Sequence, residues 1–488
     1  MLTLRIIEKI LIIYFSLYLL ADFSMYFYAL GYFIIGSFKS RGKQLQTDFS
    51  AHPVTIIVPA YNEEVSIATS VRALMHLDYP DYEIMIVNDG SSDGTLQKLL
   101  EQFPLKIVPI TGTFTLQTAP VRQIYQTNDR KLTVIDKANG GKADAINAGL
   151  NMARGHFICT IDADSLLERD ALKKTVRPFL ADQKVTVSGG QLAAANDTVI
   201  KQNRIVNAHV PKKFIVQWQI IEYIKSFLIS RLALSRANAL LIMSGAFSVF
   251  KREDLLKAGG FLSKQNRHPY VLKTLGQQKQ TVCEDMEIVV RLEKYKREQK
   301  ITPKTAFGPG AVCWTEVPEK PSSLLKQRAR WHQGLGETLL MYRNMIFEPA
   351  YGATGLLGLP YYLFFEFLSP VVKIFSLIFV IIAGYYGLLN VKWIFLLFIS
   401  IILTTAIVMS SVTVAVERWT YQRQESGRNA LRYKSFGDWL KLILAGISAE
   451  FTYAFFKIIA QLKGIYQFLT RQHDWKKFER KGIKEIKK

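Results

Sequence analysis

Two stretches almost empty of charge decide what this chain can fold into. From Ile10 to Gly36 the single charged residue is Asp22, and 27 helical residues at about 1.5 Å each reach roughly 40 Å, enough to cross a tilted bilayer once. Ile394–Val416 runs for 23 residues with no charge at all. The first stretch is too long for a signal-peptide core and no small-residue cleavage site follows it, so it reads as a retained anchor. The chain has 488 residues, 49% of them apolar. A disordered or collagen-like chain is excluded, because such chains lack the apolar surface that offsets the entropy of ordering.

Charge around these stretches sets an expected topology. Lys39, Arg41 and Lys43 follow the anchor and predict a cytosolic continuation, against an opposite vote from Arg5 and Lys9. Tyr361–Leu389, apolar apart from Glu366 and Lys373, and Ile394–Val416 are two predicted spans. The connector Glu417–Lys441 carries Arg418, Arg423, Arg428, Arg432, Lys434 and Lys441 against three acids and is expected in the cytosol. Leu442–Ile465 is interrupted by Glu450, Lys457 and Lys463, and the tail Arg471–Lys488 has eight Lys or Arg against three acids. The positive-inside rule keeps that tail inside, whereas one more crossing puts it outside. A bent, re-entrant or interfacial helix pair with both ends cytosolic satisfies both signals; a plain fourth crossing is the alternative. Glu366 and Glu450 suit a polar path through the membrane, or equally helix–helix hydrogen bonds. The predicted organisation is an anchor at 1–37, a cytosolic domain at 38–350 with interfacial helices near 211–235 and 321–345, transmembrane or re-entrant helices at 351–470, and a basic cytosolic tail at 471–488.

The cytosolic part reads as α/β, with short apolar runs such as Val54–Val58, Glu83–Val87 and Phe157–Ile161 alternating with helical patterns. Sixty-two Lys and Arg against 40 Asp and Glu give a net charge of +22, which suits phosphates or an anionic membrane face. Cys159, Cys283 and Cys313 are too few and scattered for a disulfide framework or a Cys-rich zinc site, and reduced cytosolic thiols are expected.

Five motifs carry chemistry. The first strand runs into Tyr61-Asn62-Glu63-Glu64 and the next into Asp89-Gly90-Ser91-Ser92-Asp93. Ligands of an open parallel sheet sit beyond the carboxyl ends of its strands, so Tyr61, Glu63 and Asp89 would share one crevice suited to a base and ribose. Alone, Asp89 to Ser92 could as well turn the chain and cap a helix. Asn139-Gly140-Gly141-Lys142 is a glycine turn entering a helix, where free N–H groups and the Lys142 ammonium make an anion site fit for a diphosphate. It lacks the spacing of a Walker loop. Asp162-Ala163-Asp164 ends an apolar run, and period-two alternation would let both carboxylates converge on Mg2+ or Mn2+. A turn or a cap explains the triplet equally. Ser244-Gly245 precedes another strand-like run, and Asp285, at the head of a periodic helix, is either a general base or a first-turn acid favoured by the macrodipole. Gln327-Arg328-Ala329-Arg330-Trp331 lies on a basic helical stretch before the spans. Arg330 can brace a diphosphate, and Trp331 offers a face to a sugar ring or anchors the helix at the interface.

Taken in order over roughly residues 53 to 335, these motifs resemble the membrane-embedded, processive family 2 glycosyltransferases, the group of cellulose, hyaluronan, chitin-oligosaccharide and poly-N-acetylglucosamine synthases. The resemblance implies a GT-A-type, Rossmann-like cytosolic domain inserted between transmembrane helices of a multi-pass plasma-membrane protein. It implies inverting transfer from a UDP-sugar to a growing polysaccharide at the cytosolic face, with export across the membrane. Tyr61, Glu63, Asp89, Lys142 and Asp162 would hold the nucleotide, Asp162 and Asp164 the Mg2+ or Mn2+, and Asp285 would be the catalytic base. Gln327, Arg330, Trp331, Ser244 and Gly245 would meet the diphosphate and acceptor. The family more often has Thr-Glu-Asp where this chain has Cys283-Glu284-Asp285. Expected partners are the UDP-sugar, the polysaccharide or a lipid-linked acceptor, membrane lipids and possible accessory synthase subunits. Nucleic acid is not among them. Alternatives are a non-processive transferase adding one sugar to a lipid carrier, and a non-catalytic membrane scaffold.

Overall fold

The computed structural model describes residues 2–39, 48–110, 114–201, 204–207, 209–276, 280–387, 391–422, 433 and 435–472. Arg41, Lys43, most of the basic connector after Gln422 and the tail beyond Gln472, all invoked for topology above, lie outside the described residues.

Runs of Val and Ile flanked by Gly, Asp and Asn favour strands buried on both faces. The strands are β1 (Val54–Ala60), β2 (Tyr82–Asp89), β3 (Lys106–Val108), β4 (Val121–Gln126), β5 (Leu132–Lys137), β6 (Phe157–Ile161), β7 (Leu166–Leu167), β8 (Val185–Ala194), β9 (Val199–Lys201), β10 (Arg204–Asn207), β11 (Phe247–Lys251) and β12 (Lys304–Thr315). β9 and β10 pair with each other; the rest form one ten-stranded sheet ordered β3-β4-β5-β2-β1-β6-β11-β8-β12-β7. β5, β2, β1 and β6 run parallel, and β11 lies antiparallel between β6 and β8. The register pairs Ala60 with Asn88 and Ile57 with Thr160, so the residues after β1, β2 and β6 emerge at one edge. β2 lies on one side of β1 and β6 on the other, which opens the crevice where such sheets bind ligands.

The stretch read as an anchor forms helix Leu2–Lys39, and Thr3–Ile35 within it is long and apolar enough to cross a bilayer in one piece. Ile10, Ile13, Leu17 and Leu20 are exposed, while Met25, Tyr26, Ala29 and Phe33 are buried against protein. The stretch predicted as a span from Tyr361 lies in a bent pair, Thr354–Phe367 and Ser369–Tyr385, meeting at 46°, the geometry of a broken span or a re-entrant loop. Pro370, in the first turn of the second piece, has no N–H for the helical ladder, which accounts for the break. The uncharged Ile394–Val416 lies within one helix, Val391–Gln422. The last apolar stretch is bent as well: Phe436–Phe451 and Tyr453–Thr470 meet at 52° about Thr452.

Charges among these helices face one another, as low dielectric requires. Lys225 pairs with Glu450 at 2.7 Å. Glu222 accepts from Arg328 at 2.6 Å and from the Tyr453 hydroxyl at 2.7 Å, and Lys457 stands 3.2 Å away. The Tyr361 hydroxyl donates to Glu366 at 3.2 Å. Glu450 therefore makes the helix–helix bond that was one of its two expected roles, whereas Glu366 bonds within its own helical stretch, to a residue one turn earlier. The stretch predicted as interfacial near 211–235 is helical, as Phe214–Ile224, a wider turn Lys225–Ser230 and Arg231–Arg236. Helix Pro321–Met341 lies along Tyr453–Thr470, and Gly464 makes that approach possible, since a Cβ there would stand 2.4 Å from the Ala329 carbonyl oxygen.

Candidate active site

The glycine turn is built by buried charge. Lys137, the last residue of β5, has a side chain 0% exposed, 2.6 Å from Asp89 and 2.7 Å from Asp144. The Asp89 carboxylate also receives the N–H groups of Gly140 at 2.9 Å and Gly141 at 2.8 Å. Expected to face a base or ribose, Asp89 thus has both oxygens engaged inside the protein, because the turn returns over the end of β2. Its role is to shape the backbone that leads into Lys142. Gly141 has φ +91°, which a side chain would resist, and helix Lys142–Met152 starts at the next residue.

Tyr61 and Glu63 stand at the neighbouring strand end. The Tyr61 ring is 38% exposed at the mouth of the crevice. Glu63 donates its N–H to Thr95 at 2.8 Å and its carboxylate accepts from Ser66 at 2.9 Å. Ser91 and Asp93 make local bonds: Ser91 Oγ ties the two strand ends together by accepting the Asn62 N–H at 3.0 Å, and Asp93 accepts the Thr95 N–H at 3.0 Å at the start of the next helix.

Lys142 reaches across the crevice. Its ammonium lies 2.6 Å from Asp162 and 3.3 Å from Glu284 and donates to the Gly245 carbonyl oxygen at 3.4 Å. Gly245 in turn donates its N–H to Asp285 at 2.9 Å. The tight turn at Ser244, whose carbonyl accepts from Phe247 N–H at 3.0 Å, presents that N–H. A Cβ on Gly245 would stand 3.0 Å from Lys142 Nζ and 3.2 Å from Asp285 Oδ2, so glycine permits the convergence. Asp285 lies in the first turn of helix Glu284–Glu298, so its two expected positions, first-turn acid and cleft carboxylate, coincide. Burial, then the neighbouring Glu284, raises its pKa above the ordinary value, while Lys142, the Gly245 N–H and Arg330 oppose the rise. The Lys142 pKa is raised as well: burial alone would lower it, but Asp162 and Glu284 outweigh that.

The strand alternation argued for Asp162 and Asp164 does not reach them. β6 ends at Ile161, and the chain turns, with the Ser165 N–H on the Asp162 carbonyl at 3.0 Å. The Asp162 side chain is 29% exposed toward Lys142, whereas Asp164 is buried. Among the described residues no three His, Cys, Asp or Glu come together as a cation cage. Two oxygen donors with water and substrate phosphates still fit a small hard cation, and the Lys142 ammonium shows that positive charge is favoured beside Asp162.

On helix Pro321–Met341 the Arg328 guanidinium carbon lies 4.1 Å from the Trp331 ring centre, and Arg328 also donates to Gln327. Arg330 is half-buried, and its charge acts on Asp285. The Trp331 ring is 6.1 Å from that of Phe227. Glu284, Arg328 and Arg231 are site neighbours that the motifs did not single out; Glu284 was legible as the acid beside Asp285, whereas the other two show only through tertiary contact.

Residues 55–257 match Glycosyl transferase family 2, and residues 157–411 match Glycosyl transferase family group 2. Poly-beta-1,6-N-acetyl-D-glucosamine synthases of Staphylococcus epidermidis and Staphylococcus aureus (strain COL) are each 26% identical over 287 residues, 59% of this chain and 55% of theirs. The chain spans about half the length of the curated relatives it matches. A mannosyltransferase from Pyrobaculum calidifontis, solved in complex with GDP-Man and Mn2+, aligns with a TM-score of 0.52 at 22% identity over 86% of this chain and 99% of that one. That likeness is one of fold.

Proposed function

The chain belongs to Glycosyl transferase family group 2, and from that premise we propose that it is a polysaccharide-synthesising, inverting glycosyltransferase that uses a UDP-sugar. The curated relatives, named as poly-beta-1,6-N-acetyl-D-glucosamine synthases, make UDP-N-acetylglucosamine the first donor to try. One observation carries the reading: Asp285 stands at hydrogen-bond distance from Gly245, whose carbonyl meets Lys142, which bridges to Asp162.

Inverting displacement at an anomeric carbon needs a base on one side and a stabilised leaving group on the other. Asp285, its pKa raised by burial and Glu284, would take the proton of the acceptor hydroxyl. Lys142 and Arg330 would face the diphosphate, and the Gly140–Gly141 turn would direct helix-start N–H groups toward it. Tyr61 and Glu63 would border the base and ribose. Asp162 and Asp164 would hold Mg2+ or Mn2+, which when bound neutralises charge on the leaving group. Trp331 would carry the acceptor sugar on its ring face, with Gln327 beside it. Processive elongation and outward threading belong to the proposal, and what supports them is that helix Pro321–Met341, which carries Gln327, Arg330 and Trp331, lies against the apolar helix Tyr453–Thr470. The catalytic domain would then face the cytosol of a multi-pass plasma-membrane protein, and an accessory synthase subunit would co-purify with it.

The test offers purified protein UDP-N-acetylglucosamine, UDP-glucose and UDP-glucuronate with Mg2+ or Mn2+, scoring UDP release and product size. Polymer from one donor is expected. Products limited to a single sugar on lipid would replace the polymerase by a lipid-carrier transferase, and no release from any donor would leave only a scaffold.

A further inference from the structure

Arg231 is a charged residue with no part in any motif. It opens the short helix Arg231–Arg236 in an apolar setting, and its side chain is 4% exposed. Its Nη1 is buried without a hydrogen-bond partner among the described residues. A guanidinium carries five N–H donors in a fixed plane, and natural interiors rarely leave one orphaned. The neighbours say where it points. Its guanidinium carbon lies 4.2 Å from the Phe227 ring centre, and that ring lies 6.1 Å from Trp331. The charge of Asp285 and the phenol of Tyr362 both act on it. Tyr362 belongs to the first bent membrane pair, so Arg231 stands where the cleft meets the membrane helices.

We infer that Arg231 is an acceptor-binding residue whose Nη1 donates to a hydroxyl or acyl oxygen of the terminal sugar carried on Trp331. The inference rests on the glycosyltransferase reading and adds to it the group that fixes the acceptor opposite Asp285. The Phe227 ring lies against the guanidinium and restricts its movement before the sugar arrives. A saccharide rich in oxygen acceptors fits this cationic donor, whereas an apolar chain would leave it unsatisfied.

The measurement is the ratio of UDP released to sugar incorporated into polymer, with UDP-N-acetylglucosamine as donor. An acceptor held loosely lets water compete for the anomeric carbon, so R231Q should raise that ratio about tenfold while the KM for UDP-N-acetylglucosamine moves less than about twofold. R231K, which keeps the charge but loses the planar fork, should fall between wild type and R231Q, and it carries the test should R231Q fail to fold. An unchanged ratio in the folded variant overturns the inference. So does a donor KM that rises in step, or a displaced acid limb of the pH–rate profile with the ratio intact, since that would make Arg231 an electrostatic neighbour of Asp285. Absence of UDP release in wild type would defeat the parent reading, and it is seen before any variant is made.

Discussion

Lys137 and Lys142 flank the same glycine turn, and each sits between two acids, yet they do opposite things. Lys137, with its side chain 0% exposed between Asp89 and Asp144, closes a buried triad whose other hydrogen bonds are backbone. Lys142, 34% exposed between Asp162 and Glu284, closes a cleft that opens to substrate. The difference is burial. A charge removed from water must keep its partners in every state, whereas a half-open one can exchange a carboxylate for a phosphate. The first lysine is scaffold and the second is available for chemistry.

The largest effect that would break this contrast is at Asp285. Asp285→Asn should lower transfer by about 10²- to 10⁴-fold, the range of a lost general base, with UDP affinity nearly unchanged by titration calorimetry. Undiminished synthesis would remove Asp285 from the mechanism.

Next comes the pair itself. Lys137→Met leaves Asp89 and Asp144 as buried acids without their cation and should cost about 3–5 kcal/mol, read from denaturant unfolding in detergent. Lys142→Met should cost only about 0–1 kcal/mol, because solvent already screens that pair, yet it should lower UDP release about 10²-fold. The sign of its pH effect is fixed. Lys142 opposes the rise in the Asp285 pKa, so its removal lets that pKa climb, and the acid limb of the rate profile moves to higher pH. Reversed outcomes, with Lys137 silent in stability and Lys142 structural, would undo the comparison.

That contrast also marks how far the sequence was legible. The apolar runs that became β1, β2 and β6 could be read because a strand buried on both faces must be apolar throughout. Lys142 and Asp285 could be placed because each opens a helix whose start is written locally, in a glycine turn and in a cluster of acids. Asp89 was placed at the end of its strand, but nothing in its segment tells that Lys137 and two N–H groups return to it. The alternation argument overreached at Asp164, because it assumed that β6 continued past Ile161. Arg328 was out of reach because its partner Glu222 comes from a distant helix, and Arg231 because its burial is set by tertiary packing, although the ring it lies over, Phe227, is one turn away.

Glu222 tests whether the scaffold rule extends to the membrane edge. Burial alone would raise its pKa, but Arg328 and Lys457 bring it down to about 2. A folded pKa below the unfolded value gives stability that is present above about pH 4.5 and lost as pH falls toward 2, on the order of 3 kcal/mol. Glu222→Gln should flatten that acid dependence of unfolding. A variant that loses stability as steeply as wild type over this window would show that the Arg328 pair contributes nothing there.

The smallest change sharpens the open side of the comparison. A Cβ at Gly245 would meet Lys142 Nζ at 3.0 Å and Asp285 Oδ2 at 3.2 Å, and both atoms end flexible side chains. Gly245→Ala therefore displaces the two groups without overpacking a core, and unfolding should stay within about 0.5 kcal/mol of wild type. Catalysis depends on their placement far more than stability does, because a shift of a few tenths of an ångström at a base is felt in the transition state. A loss of about tenfold in kcat/KM is expected. Equal losses of stability and activity would mean that Lys142 is as rigidly built in as Lys137, and the distinction drawn between the two lysines would lapse.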